Sequence, residues 1–325
     1  MKEPQNYNNL FQTNKDKIKY KYKNHNTKIK YNKIPSMEGI LNVNNNIGVL
    51  KFPSLTQIGF VNHGFSTRLG GVSKGHLASM NLSFSREDDR ETVNTNFQRI
   101  CSFLGTNEEN LVFSDQVHDT KIRMVTKEDQ GKGIVKKRDY FGVDGLITNI
   151  PGLVLVTFYA DCVPLYFVDI KKKAIGLSHS GCRGTVHKMG LKTVEAMKKQ
   201  YGSNPKDIIA VIGPSICEEC YEVSEDVMLE FKQSFSKEKL GDILEEKADG
   251  KYQLDLWFAN KLILLEAGIP DENITVSGIC TSCNSSLLYS HRASNGKRGN
   301  LAAFLSINNE NNEPSAKHLA NVTRS

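Results

Sequence analysis

A chain of 325 residues, 39% apolar and 24% charged, is long enough for two modest domains or one large α/β unit. Its formal charge of +6 is unevenly spread, because residues 1–36 hold nine lysines against Glu3 and Asp16, a net of +7, and the remainder is close to neutral. That distribution argues against a nucleic-acid-binding body, no run approaches the ~20 apolar residues of a membrane span, and seven cysteines are too sparse for a disulfide scaffold. No apolar signal-like segment precedes the body, so reduced thiols and a cytoplasmic location are expected.

Residues 1–36 alternate Asn, Lys and Tyr with almost no aliphatic side chains, which cannot offset chain entropy, so a disordered basic tail is expected. Removing it is expected to move the melting temperature by less than about 5 °C, and a larger drop in thermal denaturation would show that the tail packs. DRETVNTNFQRICSFLG predicts a helix closed by Gly105. DGLITN, LVLVTFYA, VPLYFVD and KAIGLSHS, between Asp144 and Ser180, are short β-rich runs with turn-like breaks, predicting neighbouring strands joined by hairpins. GTVHKMGLKTVEAMKKQYG predicts an amphipathic helix ending at Gly202, followed by a strand at DIIAVIG. VSEDVMLEFKQSF and LDLWFANKLILLEAGI predict two more helices, ITVSGICT a strand, and residues 308–325 a polar tail. Strand clusters alternating with single helices predict an α+β or layered α/β body over residues 37–307.

No G-x-G-x-x-G follows a strand, and neither G-x-x-x-x-G-K-[ST] nor G-x-S-x-G occurs, so dinucleotide, P-loop and nucleophile-elbow chemistries lack support. Two cysteine sets remain. Cys217-x-x-Cys220 and Cys280-x-x-Cys283 formally suggest a four-thiolate zinc, but 59 residues separate the pairs, against the ~15–20 of a zinc ribbon. Each pair also follows an apolar strand, where small thiols pack as ordinary hydrophobes, so the four are expected not to share a metal. The second set is His118 in DQVHDT, Cys162 in YADCVPL and His179 in LSHSGCRG, each at a predicted strand–loop junction. Two imidazoles and one thiolate make a three-ligand zinc set with one open position. Asp161 beside Cys162 is a candidate supporting carboxylate or acid/base, and equally a turn former. The same residues allow a second reading, in which Cys162 is a nucleophile activated by His179 in an amidase such as a peptidoglycan-precursor editing hydrolase. A third makes the body a zinc-stabilised binding module.

The strings NHGFSTRLGGVS, MNLSF, QVH, DGLIT, ADCVPLYF, HSGCRGTV, IGPSICEECYEV, LDLW and GICTSCNSSLLYSHRA, in this order between about Ile58 and Ala303, resemble the YfiH/laccase-domain family, also called multicopper polyphenol oxidases. The resemblance implies a four-layer α/β/β/α architecture with mixed sheets in a single large domain. It implies purine nucleoside phosphorylase activity, with adenosine deaminase and methylthioadenosine phosphorylase activities at the same site, and a zinc held by His118, Cys162 and His179. Purine nucleosides and inorganic phosphate are then the substrates, with neither membrane nor nucleic acid as partner and homodimerisation left open. Arg68 and Asn81 look like phosphate or substrate contacts, the Gly70-Gly71 turn adding backbone N–H groups. Copper belongs to the family's older name; one Cys and two His lack the further histidine cluster that multicopper oxygen chemistry needs. This chain departs where the family's HAGWRG carries Ser180 and Cys182, where SYRR reads Ser290-His291-Arg292-Ala293, and where TGR reads Arg298-Gly299-Asn300, so that an arginine is displaced or lost. The ligand residues survive these departures, which bear instead on base preference and oligomer contacts.

Overall fold

Residues 39–309 are described in the computed structural model; the readings of residues 1–36 as a tail and of the polar stretch past 309 lie outside the described residues. The chain first forms a hairpin, β1 (Ile40–Asn44) and β2 (Ile47–Lys51), then a short helix α1 (Pro53–Thr56) and β3 (Val61–Ser66). Helix α2 (Arg90–Leu104) precedes β4 (Leu111–Phe113), β5 (Ile122–Met124), β6 (Gly145–Thr148) and β7 (Val154–Tyr159). Next come β8 (Val163–Asp169), β9 (Ala174–Ser180), α3 (Cys182–Val186), α4 (Met189–Tyr201) and β10 (Ile208–Ile212). A small unit holds β11 (Glu222–Val223), α5 (Glu225–Ser234), α6 (Lys237–Ile243), β12 (Leu244–Glu246) and β13 (Tyr252–Leu254). Helix α7 (Leu256–Glu266), β14 (Ile274–Val276) and β15 (Leu301–Ile307) follow.

The strands form two six-stranded mixed sheets, ordered β1-β2-β3-β15-β7-β4 and β14-β10-β8-β9-β6-β5, and a three-stranded one, β11-β13-β12. Along β8 the side chains alternate between two apolar environments, which is why its sequence is a continuous apolar run. Tyr166 and Val168 face the first sheet and join Leu50, Phe65, Leu155 and Leu305 in the core between the sheets. Leu165 and Phe167 face the other way, among Val194 and Met197 of α4 and Ile263 of α7. On the far side of the first sheet, Val93, Phe97 and Ile100 of α2 cover Val49, Phe113 and Phe304. The layers are therefore α/β/β/α, as the resemblance implied. Helix α2 has the predicted ends: the Asp89 side chain accepts from the Thr92 N–H, and Gly105 closes the helix at φ 67°.

The predicted run of hairpins holds only for β8 and β9, which pair antiparallel from Val163–Ser180 to Asp169–Ala174. Strand β7 instead pairs with β15 and β4 in the first sheet, so the chain changes sheets on either side of it. Runs buried on both faces carry no alternation that could assign them to one sheet or the other. The second crossing, through Ala160, Asp161 and Cys162, requires φ 93° at Asp161. The helix predicted to end at Gly202 is two, broken at Lys188 with φ 58°. Among the described residues no helix is long and apolar enough to cross a membrane.

Candidate active site

The crossing from β7 to β8 delivers Cys162 to the end of the β8–β9 ladder, where His179 leaves β9 opposite Pro164. His118 arrives from the loop between β4 and β5, its backbone held at φ 64°. One nitrogen of each imidazole and the Cys162 sulfur lie within 4.8 Å of one another, and the two rings stand nearly perpendicular with centroids 4.9 Å apart. The three residues singled out in the sequence do meet.

What holds them is Asp144, which the sequence reading treated only as the start of a strand. It is fully buried just before β6, the neighbour of β9. Its Oδ2 lies 2.7 Å from His179 Nδ1 and accepts the His118 N–H at 3.1 Å, while Oδ1 accepts the N–H groups of Val117 and Asp119 at 2.9 and 3.2 Å. One carboxylate thus orients the His179 ring, leaving its Nε2 to face Cys162, and fixes the backbone of the loop that carries His118. Burial alone would raise the Asp144 carboxyl, but the bond and charge of His179 and the backbone N–H groups hold it below its ordinary range. Burial would likewise raise the Cys162 thiol; the charge of His179 and the bonds from His118 and His179 bring it down to about 6. His179, which burial would lower, is raised to about 9, chiefly by the Cys162 charge and the bond to Asp144.

A thiolate between two oriented imidazoles suits zinc, and the space for an ion is kept by a missing side chain. A Cβ on Gly181 would lie 3.0 Å from Cys162 Sγ, 3.3 Å from His118 Cδ2 and 3.8 Å from His179 Cε1. Asp144→Asn keeps the shape but removes the anion behind His179. It is expected to weaken metal affinity by ~10- to 100-fold, as read by competition with a chelating dye; unchanged affinity would show that Asp144 only braces the backbone.

The ligand set opens into a cavity of about 690 Å³ whose other walls include Phe84, Arg86, Phe158, Tyr221, His291, Arg292, Arg298 and Asn300. Arg86 and Arg298 each bury an Nε with no hydrogen-bond partner. Burial and then the Arg86 charge push the Arg298 guanidinium down to about 10, and burial and then the Arg298 charge lower His291. This wall is rich in cations, and the nearby Asp161 carboxylate offsets them only in part.

Asp161 also lines the cavity, but its carboxylate is engaged: Oδ1 accepts from Thr281 Oγ1 at 2.6 Å and Oδ2 from the Arg292 N–H at 2.7 Å. It ties neighbouring loops to the residue before Cys162. Arg68 and Asn81 stand elsewhere than the resemblance implied, since neither lines the cavity. Arg68 donates to the carbonyls of Ala78 and Ser285 at 2.8 and 2.7 Å and lies over the Tyr289 ring. Asn81 is fully buried, donating to Asp88 Oδ2 at 2.9 Å and accepting the Asn300 N–H at 3.0 Å. The Gly71 N–H is engaged by Ser79 Oγ at 3.1 Å. These groups frame the wall that carries Arg298 and Asn300. The displaced arginine of the Arg298-Gly299-Asn300 segment therefore still reaches the cavity.

The four paired cysteines, expected not to share a metal, are nevertheless brought together. Strands β10 and β14 are parallel neighbours, and the sulfurs of Cys217, Cys220, Cys280 and Cys283 lie within 4.8 Å of one another.

The fold is a two-sheet α/β body with a His/Cys/His set at a sheet crossing that could hold a metal ion, and residues 62–308 match the family described as multi-copper polyphenol oxidoreductase laccase. The chain belongs to that family. It is similar to YlmD of Bacillus subtilis (strain 168), named a purine nucleoside phosphorylase, at 39% identity over 248 residues, covering 75% of this chain and 87% of the relative. A protein of an unknown prokaryotic organism named adenosine deaminase RL5 is 33% identical over 231 residues, 70% of this chain and 87% of its own. Among solved structures, YlmD from Geobacillus stearothermophilus has a TM-score of 0.76 at 35% identity, covering 83% of this chain and all of its own. The Bacillus licheniformis hypothetical protein YfiH has a TM-score of 0.76 at 33% identity, covering 82% and 98%.

Proposed function

We propose that this protein is a zinc-dependent purine nucleoside phosphorylase that converts adenosine, inosine or guanosine and phosphate to the base and ribose 1-phosphate. The observation that carries the reading is one cavity in which the His118, Cys162 and His179 donors share a wall system with Arg86 and Arg298, each of which buries an Nε without a partner, while Arg298 Nη1 donates to the Gly299 carbonyl and Asn300 Oδ1. Arg86 and Arg298 would hold the phosphate dianion with paired N–H donors, bringing its oxygen against C1′ of the sugar. The phosphate relieves the mutual repulsion of the two cations, so anion binding is favoured before the nucleoside arrives. Phe84, Phe158 and Tyr221 offer aromatic faces to the purine and narrow the access of water to the sugar. Asp144 lies against His179 Nδ1, so Nε2 is the nitrogen that would face a bound ion once its proton is displaced. His118, Cys162 and His179 would hold the zinc, which when bound supplies a Lewis acid for charge developing on the purine.

The relative named adenosine deaminase supports a second reaction in the same cavity, hydrolytic deamination of adenosine without phosphate. Methylthioadenosine differs from adenosine only at the 5′ position, so the same base and phosphate contacts serve its phosphorolysis. The comparisons give the thiol-amidase reading no support. The test is incubation with adenosine, with and without phosphate, following adenine and inosine separately. Adenine is expected only with phosphate and inosine in both; adenine release indifferent to phosphate would overturn the reading.

A further inference from the structure

We propose that Cys217, Cys220, Cys280 and Cys283 bind a second metal ion, a structural zinc, that clamps the two loops supporting one wall of the cavity. The argument begins with topology. Strands β10 and β14 run parallel, and their ladder continues past the strand ends: Ser215 and Cys280 form a parallel bridge, with the Ser215 N–H on Ile279 O and the Thr281 N–H on Ser215 O, both at 3.1 Å. The 59-residue interval is therefore a crossover through α5, α6 and α7 that returns each C-x-x-C loop to the same place in space.

The separations are those of a metal site. Cys217 Sγ lies 3.9 Å and Cys220 Sγ 3.5 Å from Cys283 Sγ. A tetrahedral four-thiolate zinc with bonds of about 2.3 Å has sulfur–sulfur edges of roughly 3.8 Å, whereas a disulfide needs about 2.05 Å. The cysteines are unbridged. Cys280 Sγ accepts two backbone N–H groups, from Cys217 at 3.3 Å and from Cys283 at 3.4 Å. Such donors stabilise a thiolate and turn its remaining lone pairs toward the other three sulfurs. Cys217 and Cys280 are buried and Cys283 is exposed, so the cluster has a closed floor and an opening through which an ion can enter.

The cluster is joined to the active site by Asp161. Its carbonyl accepts the Ile216 N–H at 3.0 Å and its carboxylate the Thr281 hydroxyl at 2.6 Å, one residue from each C-x-x-C pair. Arg292, whose N–H also reaches that carboxylate, donates to the carbonyls of Cys220 and Glu222 at 3.1 and 2.8 Å. Ile216, Tyr221 and Arg292 line the cavity. An ion holding the two loops together would thus fix this wall and the crossing next to Cys162.

Metal analysis of the full chain purified with zinc under reducing conditions tests the proposal independently of any activity. Two zinc ions per chain are expected, falling to one in Cys220→Ser and in Cys283→Ser, with a melting temperature lower by about 5 °C or more. His118→Ala should also hold one; loaded with Co²⁺, it should show the strong thiolate-to-cobalt and tetrahedral absorption of a four-sulfur site. That arm needs no cysteine substitution, so it stands even if the serine variants fail to fold. One zinc in the wild type that survives in both serine variants, no thiolate–cobalt absorption in His118→Ala, or a disulfide within the four cysteines would each overturn the proposal.

Discussion

Cys162→Ala is expected to lower phosphorolysis and deamination together by about 10³-fold or more and to remove one equivalent of zinc per chain. Three protein donors hold the site, and removing the thiolate leaves two imidazoles, too few for tight binding with an open position. Loss of the Lewis acid forfeits several kcal/mol of charge stabilisation, and ~4 kcal/mol corresponds to ~10³ in rate. His118→Ala and His179→Ala should weaken the site strongly in the same direction. Because Asp144 holds both the His118 loop and the His179 ring from behind, the alanine at 162 should leave the fold intact. Metal analysis beside the two activity assays checks this; a Cys162→Ala protein that keeps its full zinc content would reject the ligand assignment.

Arg86→Ala and Arg298→Ala are expected to separate the two reactions. Phosphate is the nucleophile in phosphorolysis and takes no part in deamination, so removing a guanidinium contact to a dianion should cost about 2–4 kcal/mol in the first, or ~30- to 1,000-fold. Deamination should fall less than tenfold. Arg68→Ala provides the contrast. Its guanidinium donates to Ala78 O and Ser285 O and lies against Tyr289, so its loss should loosen the frame and lower both activities in step, with a lower melting temperature. Adenine and inosine measured in parallel over a phosphate series decide the matter. Equal losses of the two products in Arg86→Ala would remove the phosphate role from this wall.

The donors were legible as ligand-type residues at the ends of apolar runs, Cys162 before VPLYFV and His179 at the end of AIGLS, but as one set chiefly through the family resemblance. The ends of α2 were equally plain from Asp89 and Gly105. Strand partners were not, because β6, β7, β8 and β9 are almost entirely buried and their sequences carry no inside-outside alternation. Strand β15 escaped for another reason, its Ala302 and Ala303 being weak strand formers, while the largely exposed β1, ILNVN, is interrupted by Asn42 and Asn44, which are depleted in strands. The meeting of the cysteine pairs was not legible because distance along the chain says nothing once a parallel crossover closes it. Asp144, Arg86 and Arg298 left only faint signals: an acid heading DGLIT, an arginine just after MNLSF, and another where the family's terminal arginine is shifted. Their roles depend on which loops meet at the cavity, and that is set by the two sheets rather than by any local pattern.

The most direct measurement of the central claim is phosphorus magnetic resonance of the products of adenosine and inorganic phosphate turned over by the zinc-loaded protein. Phosphorolysis breaks the C1′–N9 bond and forms a C1′–O bond to phosphate, so ribose 1-phosphate should appear one-for-one with adenine while inorganic phosphate declines by the same amount. Free ribose with phosphate unconsumed, or no release of adenine at any phosphate concentration, would contradict it.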